Sequence, residues 1–236
     1  SARVRSRVAN LHDRRLWQGL EKQRFDLILV GNVLNEWRDS DRRRRANEPS
    51  SVRFVRRALN SLDTAGKLVL FEPASRIASF RLIEVRRHLL DDSVVSIDAP
   101  CTGHMSCPLA ARGVRSWCHS EQPWRRPQLV AALDHAIGHR RSTLQFSYLV
   151  LSHRREMPFD GSRWRVIGGP MQDGPLVRRY LCGQPGRVVA VYNKKDAEGR
   201  HPLAEAWRGD IVTLGGAWTH VRGKHGNERR LMVKPG

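Results

Sequence analysis

Cysteine placement constrains this chain more than any other feature. Three of its four cysteines lie in one stretch, Cys101-Thr-Gly-His-Met-Ser-Cys107-Pro-Leu and then, after ten intervening residues, Cys118. The fourth, Cys182, comes after 63 more. Thiols gathered this closely form disulfides, hold a metal ion or hold an iron–sulfur cluster. No secretory apolar region is visible, so a reducing compartment is expected and the disulfide option is weakened. Five residues separate the first pair, wider than the roughly two to four of a zinc knuckle. Four thiolates suit either tetrahedral zinc or a cubane cluster with one cysteine per iron, and spacing alone leaves both open. His104 and His119 stand among the cysteines. With four thiolates completing the count, their expected roles are hydrogen bonding to sulfur or packing beside Trp117. Either centre would tie Cys101 to the distant Cys182 and staple two parts of the fold.

Charge narrows the partner class. The chain carries 42 Lys and Arg against 23 Asp and Glu, a net +19, most of the excess being arginine. Arginine's planar fork matches phosphate, and release of condensed counterions drives association with a polyanion. Nucleic acid is therefore the expected partner. The candidate contacts are Arg42, Arg43, Arg44 and Arg45 in one block, then Arg125 and Arg126, then Lys194 and Lys195, with Arg140, Arg141, Arg154 and Arg155 between them. Trp124 and Trp164 add candidate stacking faces. No apolar run approaches the roughly 20 residues that span a bilayer, and no membrane partner is expected. The Arg-rich start (Arg3, Arg5, Arg7, Arg14, Arg15) fits the remnant of a mitochondrial transit peptide. It fits equally the outer face of a helix ending near Gln23, with Val8, Leu11, Leu16 and Leu20 turned inward. The chain lacks an initiator methionine, so a truncated N-terminus is allowed for.

The order of elements points to an α/β fold. Phe25-Asp-Leu-Ile-Leu-Val30 reads as a parallel-sheet strand buried on both faces. The loop Gly31 to Trp37 follows at its carboxyl end, the edge where open α/β sheets bind ligands. Residues 38–51 form a charged insertion. A helix follows, with Val52, Val55, Leu59 and Leu62 inward and Gly66 stopping it. Lys67 to Pro73 is a second strand ending in an acid, 76–90 a helix, and Ser93 to Ile97 a strand that delivers the chain to Cys101. Beyond the cysteines, 127–139 reads as a helix with Leu129, Ala132, Leu133 and Ile137 inward, and Thr143 to Leu151 as a strand. That alternation argues for a doubly wound α/β domain over 1–156, carrying the cysteine segment 99–119. Short β-like runs separated by Gly, Pro and Asp turns form a small β extension over 157–214 with Cys182 in it. Residues 215–236 form a basic tail without expected order of its own.

Several segments in succession carry a family resemblance: Phe25-Asp-Leu-Ile-Leu-Val-Gly-Asn-Val-Leu-Asn-Glu36, Gly66-Lys-Leu-Val-Leu-Phe-Glu-Pro73, Ala99-Pro-Cys101, Cys107-Pro-Leu109, Trp117-Cys-His119 and Val166-Ile-Gly-Gly-Pro170. The chain resembles the methyltransferase-like family of mitochondrial small-ribosomal-subunit assembly factors and their bacterial relatives. It departs from the bacterial pattern at Thr102-Gly103-His104 and at Ser120. The resemblance implies a class I methyltransferase-like (Rossmann-like) sheet with a small C-terminal β region. It implies that Cys101, Cys107, Cys118 and Cys182 hold a 4Fe-4S cluster, and that the protein works with small-subunit rRNA, ribosomal proteins and other assembly factors. The implied location is the mitochondrial matrix, with a bacterial cytoplasm as the alternative. Asn32, Asn35 and Glu36 match the loop that borders the S-adenosylmethionine pocket; turn and cap chemistry accounts for the same residues. The Gly-rich turn and ribose-binding acid of such a cofactor site are not visible, so the N-terminal part of the fold is expected to be missing or incomplete. No catalytic residue is assigned. The expected function is an rRNA-binding assembly factor braced by a cluster and inactive in this chain. Its alternatives are an active S-adenosylmethionine-dependent rRNA methyltransferase and a zinc-stabilised structural ribosomal protein.

Overall fold

The computed structural model describes residues 3–37, 48–90, 92–103, 106–111, 116–139, 142–153, 161–184, 186–195 and 201–214, with the backbone of 218–223 and 226–232. Two sheets organise these residues. The first is built from β1 (Phe25–Gly31), β2 (Leu62–Pro73), β3 (Val95–Ala99), β4 (Ser120–Pro123) and β5 (Thr143–His153), in the order β1-β2-β5-β3 with β4 also paired to β5. β1 runs parallel to β2, while β5 is antiparallel to β2, β3 and β4. The sheet is therefore mixed.

Helices α1 (Arg14–Leu20), α2 (Ser50–Asn60) and α3 (Arg76–Leu89) accompany this sheet, each for a local reason. Asp13 caps α1 by accepting from the Arg15 N–H at 2.9 Å, and Ser75 caps α3 by accepting from Ala78 N–H at 3.2 Å. α2 turns Val52, Val55, Ala58 and Leu59 inward at helical spacing. Arg86, Arg87 and His88 fill the last turn of α3, where positive charge suits the helix dipole. α2 and α3 pack against each other and against β2 and β5. The resulting core holds Leu34, Val52, Val55, Leu68, Leu70 and Leu151, all fully buried.

The second sheet gathers β6 (Arg163–Val166), β7 (Met171–Asp173), β8 (Leu176–Gly183), β9 (Gly186–Asn193), β10 (Ile211–Thr213), β11 (Trp218–Gly223) and β12 (Gly226–Met232). Alternation along β8 sends Val177, Arg179, Leu181 and Gly183 to one face and Cys182 to the other. A separate core forms from Trp164, Val166, Leu181, Val188, Ala190 and Leu203.

Several expectations change. β1 lies at the end of the strand order, and Leu27 and Leu29 are exposed, so it is not buried on both faces. Between β4 and β5, α4 (Gln128–Ala136) exists as expected, yet it buries no residue; Leu129, Leu133 and Ile137 are exposed. Periodicity located this helix but not a surface for its apolar stripe. The N-terminal helix is confined to Arg14–Leu20, and Val8 is fully exposed. Gly66 does not stop α2, which ends at Asn60; it lies inside β2 beside the register shift between Phe25 and Leu27. In the tail, β12 pairs in parallel with β9, so part of that segment is drawn into the second sheet. The charged block Arg42 to Arg45 lies outside the described residues, as do Arg140, Arg141, Arg154 and Arg155.

One buried acid fixes the loop after β1. Glu72, 1 % exposed at the end of β2, accepts from the backbone N–H groups of Val33 (3.1 Å), Leu34 (2.7 Å) and Asn35 (3.1 Å). Burial pushes its carboxyl above the usual carboxylate range, against the pull of those three amides and of Arg81. Glu72→Ala orphans three amides in a dry site, where each unsatisfied donor costs about 1–3 kcal/mol. We expect a loss of roughly 3 kcal/mol or more in urea unfolding, with Glu72→Gln intermediate because one acceptor oxygen remains. Equal stability of Glu72→Ala and the parent protein would show that the loop does not depend on this carboxylate.

Candidate metal centre

Cys101, Cys107 and Cys118 line one pocket, and Cys182 lies within electrostatic reach of all three. Cys101 leaves the end of β3 and is met by the last turn of α3: Arg86 Nε donates to Cys101 Sγ at 3.1 Å and its Nη2 to Gly103 O at 3.2 Å. Cys107 opens the single 3-10 turn Pro108–Ala110, whose Ala110 N–H returns to Cys107 O at 3.0 Å. That turn packs beside β9 of the second sheet. Cys118 is held by its own backbone, since Ser147 Oγ of β5 donates to Cys118 O at 2.9 Å. Its neighbour Trp117 donates Nε1 to Ala74 O, just past β2, at 2.7 Å. Cys182 arrives on β8, and Thr102 Oγ1 donates to its carbonyl at 3.4 Å.

All four cysteines are free and half-buried, so no disulfide joins them. Burial pushes the thiols of Cys101, Cys107 and Cys182 up, and the nearness of the other sulfurs pushes the same way, while Arg86 opposes both. Each of these three thus senses its neighbours electrostatically. Among the described residues no group of three or more His, Cys, Asp or Glu side chains is arranged to hold a metal ion.

Arg165 stands at the centre of this arrangement. In the β6–β8 ladder it pairs directly with Cys182. It is 2 % exposed and lines a cavity of about 30 Å³ together with Cys101, Cys107, Cys118, His119 and Tyr148. Its Nη2 donates to Ser120 Oγ at 2.9 Å, its Nη1 to Gly209 O at 2.8 Å and to Tyr148 Oη at 3.5 Å, and its guanidinium lies 5.5 Å from the centre of the Tyr148 ring. Its Nε is buried with no hydrogen-bond partner. None of these acceptors is charged, and among the described residues no carboxylate pairs with it. Burial alone would lower its pKa, but the nearness of Cys118, Tyr148 and Cys101 more than reverses this. Four thiols beside a buried cation with an orphaned donor form a donor set that suits an anionic, thiolate-held group.

His119 is also buried in the site. Its Nε2 meets Glu121 Oε1 at 3.1 Å, its Nδ1 is buried without a partner, and its ring lies 5.7 Å from that of Trp117. Burial and Arg208 hold its pKa below the usual value, with Glu121 opposing. Arg208 donates to Trp117 O (2.9 Å) and Ser116 Oγ (3.0 Å), which links the turn before β10 to the cysteine segment. His104 lies outside the described residues.

The other singled-out residues are scattered. Arg125 is exposed, and Arg126 pairs with Asp134 of α4 at 2.9 Å. Lys194 and Lys195 are exposed past the end of β9. Trp124 is 37 % exposed, whereas Trp164 is 3 % exposed in the second core and offers no stacking face. Asn32 takes φ 55°, a left-handed value that asparagine tolerates, and donates its N–H to Phe71 O. Asn35 gives its N–H to Glu72 and keeps a buried Oδ1 without a partner; Glu36 is exposed. Sequence reading missed Arg86, Arg165 and Arg208 because it counted arginine as surface charge. A signal was present for two of them: Arg86 falls on the inward stripe with Leu82 and Leu89, and Arg165 interrupts the apolar run from Trp164 to Ile167.

Fold and site together define a mixed α/β protein with a cysteine-lined pocket shared between two sheets. The family model described as Mitochondrial small ribosomal subunit Rsm22 matches residues 3–211. The chain belongs to that family, and membership is consistent with a methyltransferase-like fold. It gives the chain a role connected with the mitochondrial small ribosomal subunit, ribosome-associated partners and a mitochondrial location. No curated protein matches the chain. No described helix is long and apolar enough to cross a membrane.

Gly209 supports the site through close approach. It has φ 105°, and a Cβ there would stand 2.4 Å from Ser120 Oγ and 2.8 Å from Ser120 Cα, the residue that shares Arg165 with it. Gly209→Ala should cost about 2 kcal/mol or more, through backbone strain and displacement of Ser120. Gly138, φ 73° with nothing within 4 Å, supplies the control; its alanine variant should cost about 1 kcal/mol. Thermal unfolding of both variants decides, and equal losses would remove the packing role of Gly209.

Proposed function

We propose that this chain is an assembly factor of the mitochondrial small ribosomal subunit that binds rRNA through a basic surface braced by a 4Fe-4S cluster. Family membership supports the ribosomal part. The observation that carries the cluster is the buried Arg165, whose Nε has no partner, set among four free cysteines. Cys101, Cys107, Cys118 and Cys182 would hold the cluster. When bound, it supplies negative charge and covalent ties between the loop after β3, the start of β4 and β8. The protein's own part is structural. Arg165 and Arg86 answer the charge of the thiolates, Ser147 and Trp117 fix the backbone on either side of Cys118, and Thr102 ties the loop to β8. Zinc in the same four thiolates, as part of a structural ribosomal protein, is the alternative.

For the RNA surface, the net charge of +19 and the exposed Arg125, Lys194 and Lys195 support the reading. Methyl transfer is not assigned to this chain. S-adenosylmethionine binding at the loop after β1 is the second reading, favoured by the unpartnered Oδ1 of Asn35. Calorimetric titration with S-adenosylmethionine decides it, and an absence of heat removes it.

Protein isolated without oxygen should be brown and contain about four iron and four sulfide per chain, one cysteine serving each iron. A colourless protein with one zinc would sink the cluster reading. Arg165→Met separates the same alternatives. Replacing a buried ion by an apolar side chain is often neutral for a fold, but beside an anionic cluster it removes the counter-charge. Iron should therefore be lost faster to a chelator from Arg165→Met than from Arg165→Lys. RNA binding is tested on the iron-loaded chain: its affinity for small-subunit rRNA should fall steeply with salt, and Arg125→Ala with Lys194→Ala and Lys195→Ala should flatten the log–log slope by about 0.7 for each lost phosphate contact on single strands. A slope unchanged by all three removes these residues from the interface.

A further inference from the structure

The outer face of α3 lines an open cleft of about 620 Å³ that also touches Ala110, from the turn that Cys107 opens. Arg76, Phe80, Glu84 and Arg87 follow one another along α3 at helical spacing and line it. The Arg76 guanidinium lies 5.5 Å from the centre of the half-buried Phe80 ring. Ile77, 71 % exposed, adds apolar surface to the same lining. Arg81, at the edge of the cleft, is turned toward the loop after β1, where it donates to the carbonyls of Leu34 and Trp37 and its charge acts on Glu72. Two guanidiniums, Arg76 and Arg87, thus line the cleft with one carboxylate, Glu84, and the Phe80 ring. The cleft belongs neither to the cysteine pocket nor to the basic residues singled out from the sequence.

Resting on the RNA-binding reading, we propose that this cleft takes a short single-stranded stretch of RNA. Phosphates would lie on Arg76 and Arg87 at the rim, and one base would stack on Phe80 in the place where the Arg76 guanidinium now rests. The chemistry is specific in kind. Arginine forks match phosphate oxygens, and an aromatic face flanked by cations accepts any base because every base has a π-face. An apolar peptide would leave the Arg76 and Arg87 guanidiniums without a counter-charge. A duplex would present phosphates but keep its bases stacked away from Phe80.

The test uses the metal-loaded full chain and a fluorescent twelve-nucleotide oligouridine, titrated by anisotropy at several salt concentrations. Arg76→Ala with Arg87→Ala should weaken binding about tenfold at low salt and flatten the log–log salt slope by roughly 1.4, two contacts at about 0.7 each. Phe80→Leu should weaken binding about tenfold with the slope unchanged, because stacking releases no counterions. Metal and sulfide content should match the parent in all variants, which shows that the fold is intact. Ultraviolet cross-linking of the bound oligouridine should place an adduct on the peptide that contains Phe80. If the parent binds oligouridine and all variants bind it equally, with the same slope, the cleft proposal is overturned while the RNA reading stands. If the parent binds neither oligouridine nor rRNA, the RNA reading falls and the cleft with it. Preferential binding of polyglutamate, lost in the same arginine variants, also overturns the proposal.

Discussion

Arg165 brings a fixed positive charge into a site where it is 2 % exposed. Taking such an ion out of water costs several kcal/mol unless the surroundings answer it. The answers come from both sheets at once: Ser120 on β4, Tyr148 on β5 and Gly209 before β10. These are neutral groups, and Nε is left over. The guanidinium therefore pins four segments together, with no carboxylate among its hydrogen-bond partners. A thiolate-held anionic group among the cysteines would complete the electrostatics. Burial pushes the thiols of Cys101, Cys107 and Cys182 up, and the nearness of Cys118 and Cys101 in turn favours the charged Arg165.

Glu72 shows the opposite solution to the same problem. It is buried as deeply as Arg165, but its two oxygens take three backbone N–H groups from the loop after β1. Two residues later, Ala74 O receives Trp117 Nε1 and so holds the cysteine segment. The carboxyl end of β2 is thus the junction from which two loops are hung. Arg81 reinforces one of them from α3, and Ser147 on the neighbouring β5 reinforces the other. In an open α/β sheet this edge is where strands end and loops can be shaped for ligands. Here the shaping is done by a few buried polar groups. Apolar packing, centred on Leu68, Leu70 and Leu151, lies behind them.

Much of this was legible before any coordinates. Helical spacing located α2, α3 and α4, and apolar runs located β1, β2 and β5. What escaped was the environment of each element. The stripe of α4 reads as inward, yet Leu129, Leu133 and Ile137 are exposed, because periodicity says that one face is apolar and not that a surface awaits it. β1 reads as buried on both faces, yet it ends the strand order and exposes Leu27 and Leu29, because composition cannot count neighbours. The inward arginines escaped for a different reason. In a chain of net +19 each arginine looks like surface, and only its position on an apolar stripe separates Arg86 or Arg165 from the rest. Trp164 failed in the reverse sense: flanking arginines made it look like a stacking face, while the alternation of β6 turns it into a core.

The location of Cys107 makes the cysteine site more than a staple. It opens the short turn that packs beside β9 and touches the α3 cleft through Ala110. A turn of three residues is held from outside, here by the buried Leu109 and by what fixes its first residue. A group held by Cys107, as proposed, would therefore also bear on the position of Ala110 in the cleft lining. If RNA binds better to the cleft with this turn in place, linkage requires the reverse effect, by the same factor: bound RNA must strengthen retention of the group on the cysteines. The brace and the RNA surface would then be two ends of one equilibrium. The hydrogen bonds of Arg165, Thr102 and Ser147, which all fix the position of backbone or side chains around the cysteines, suit such a brace.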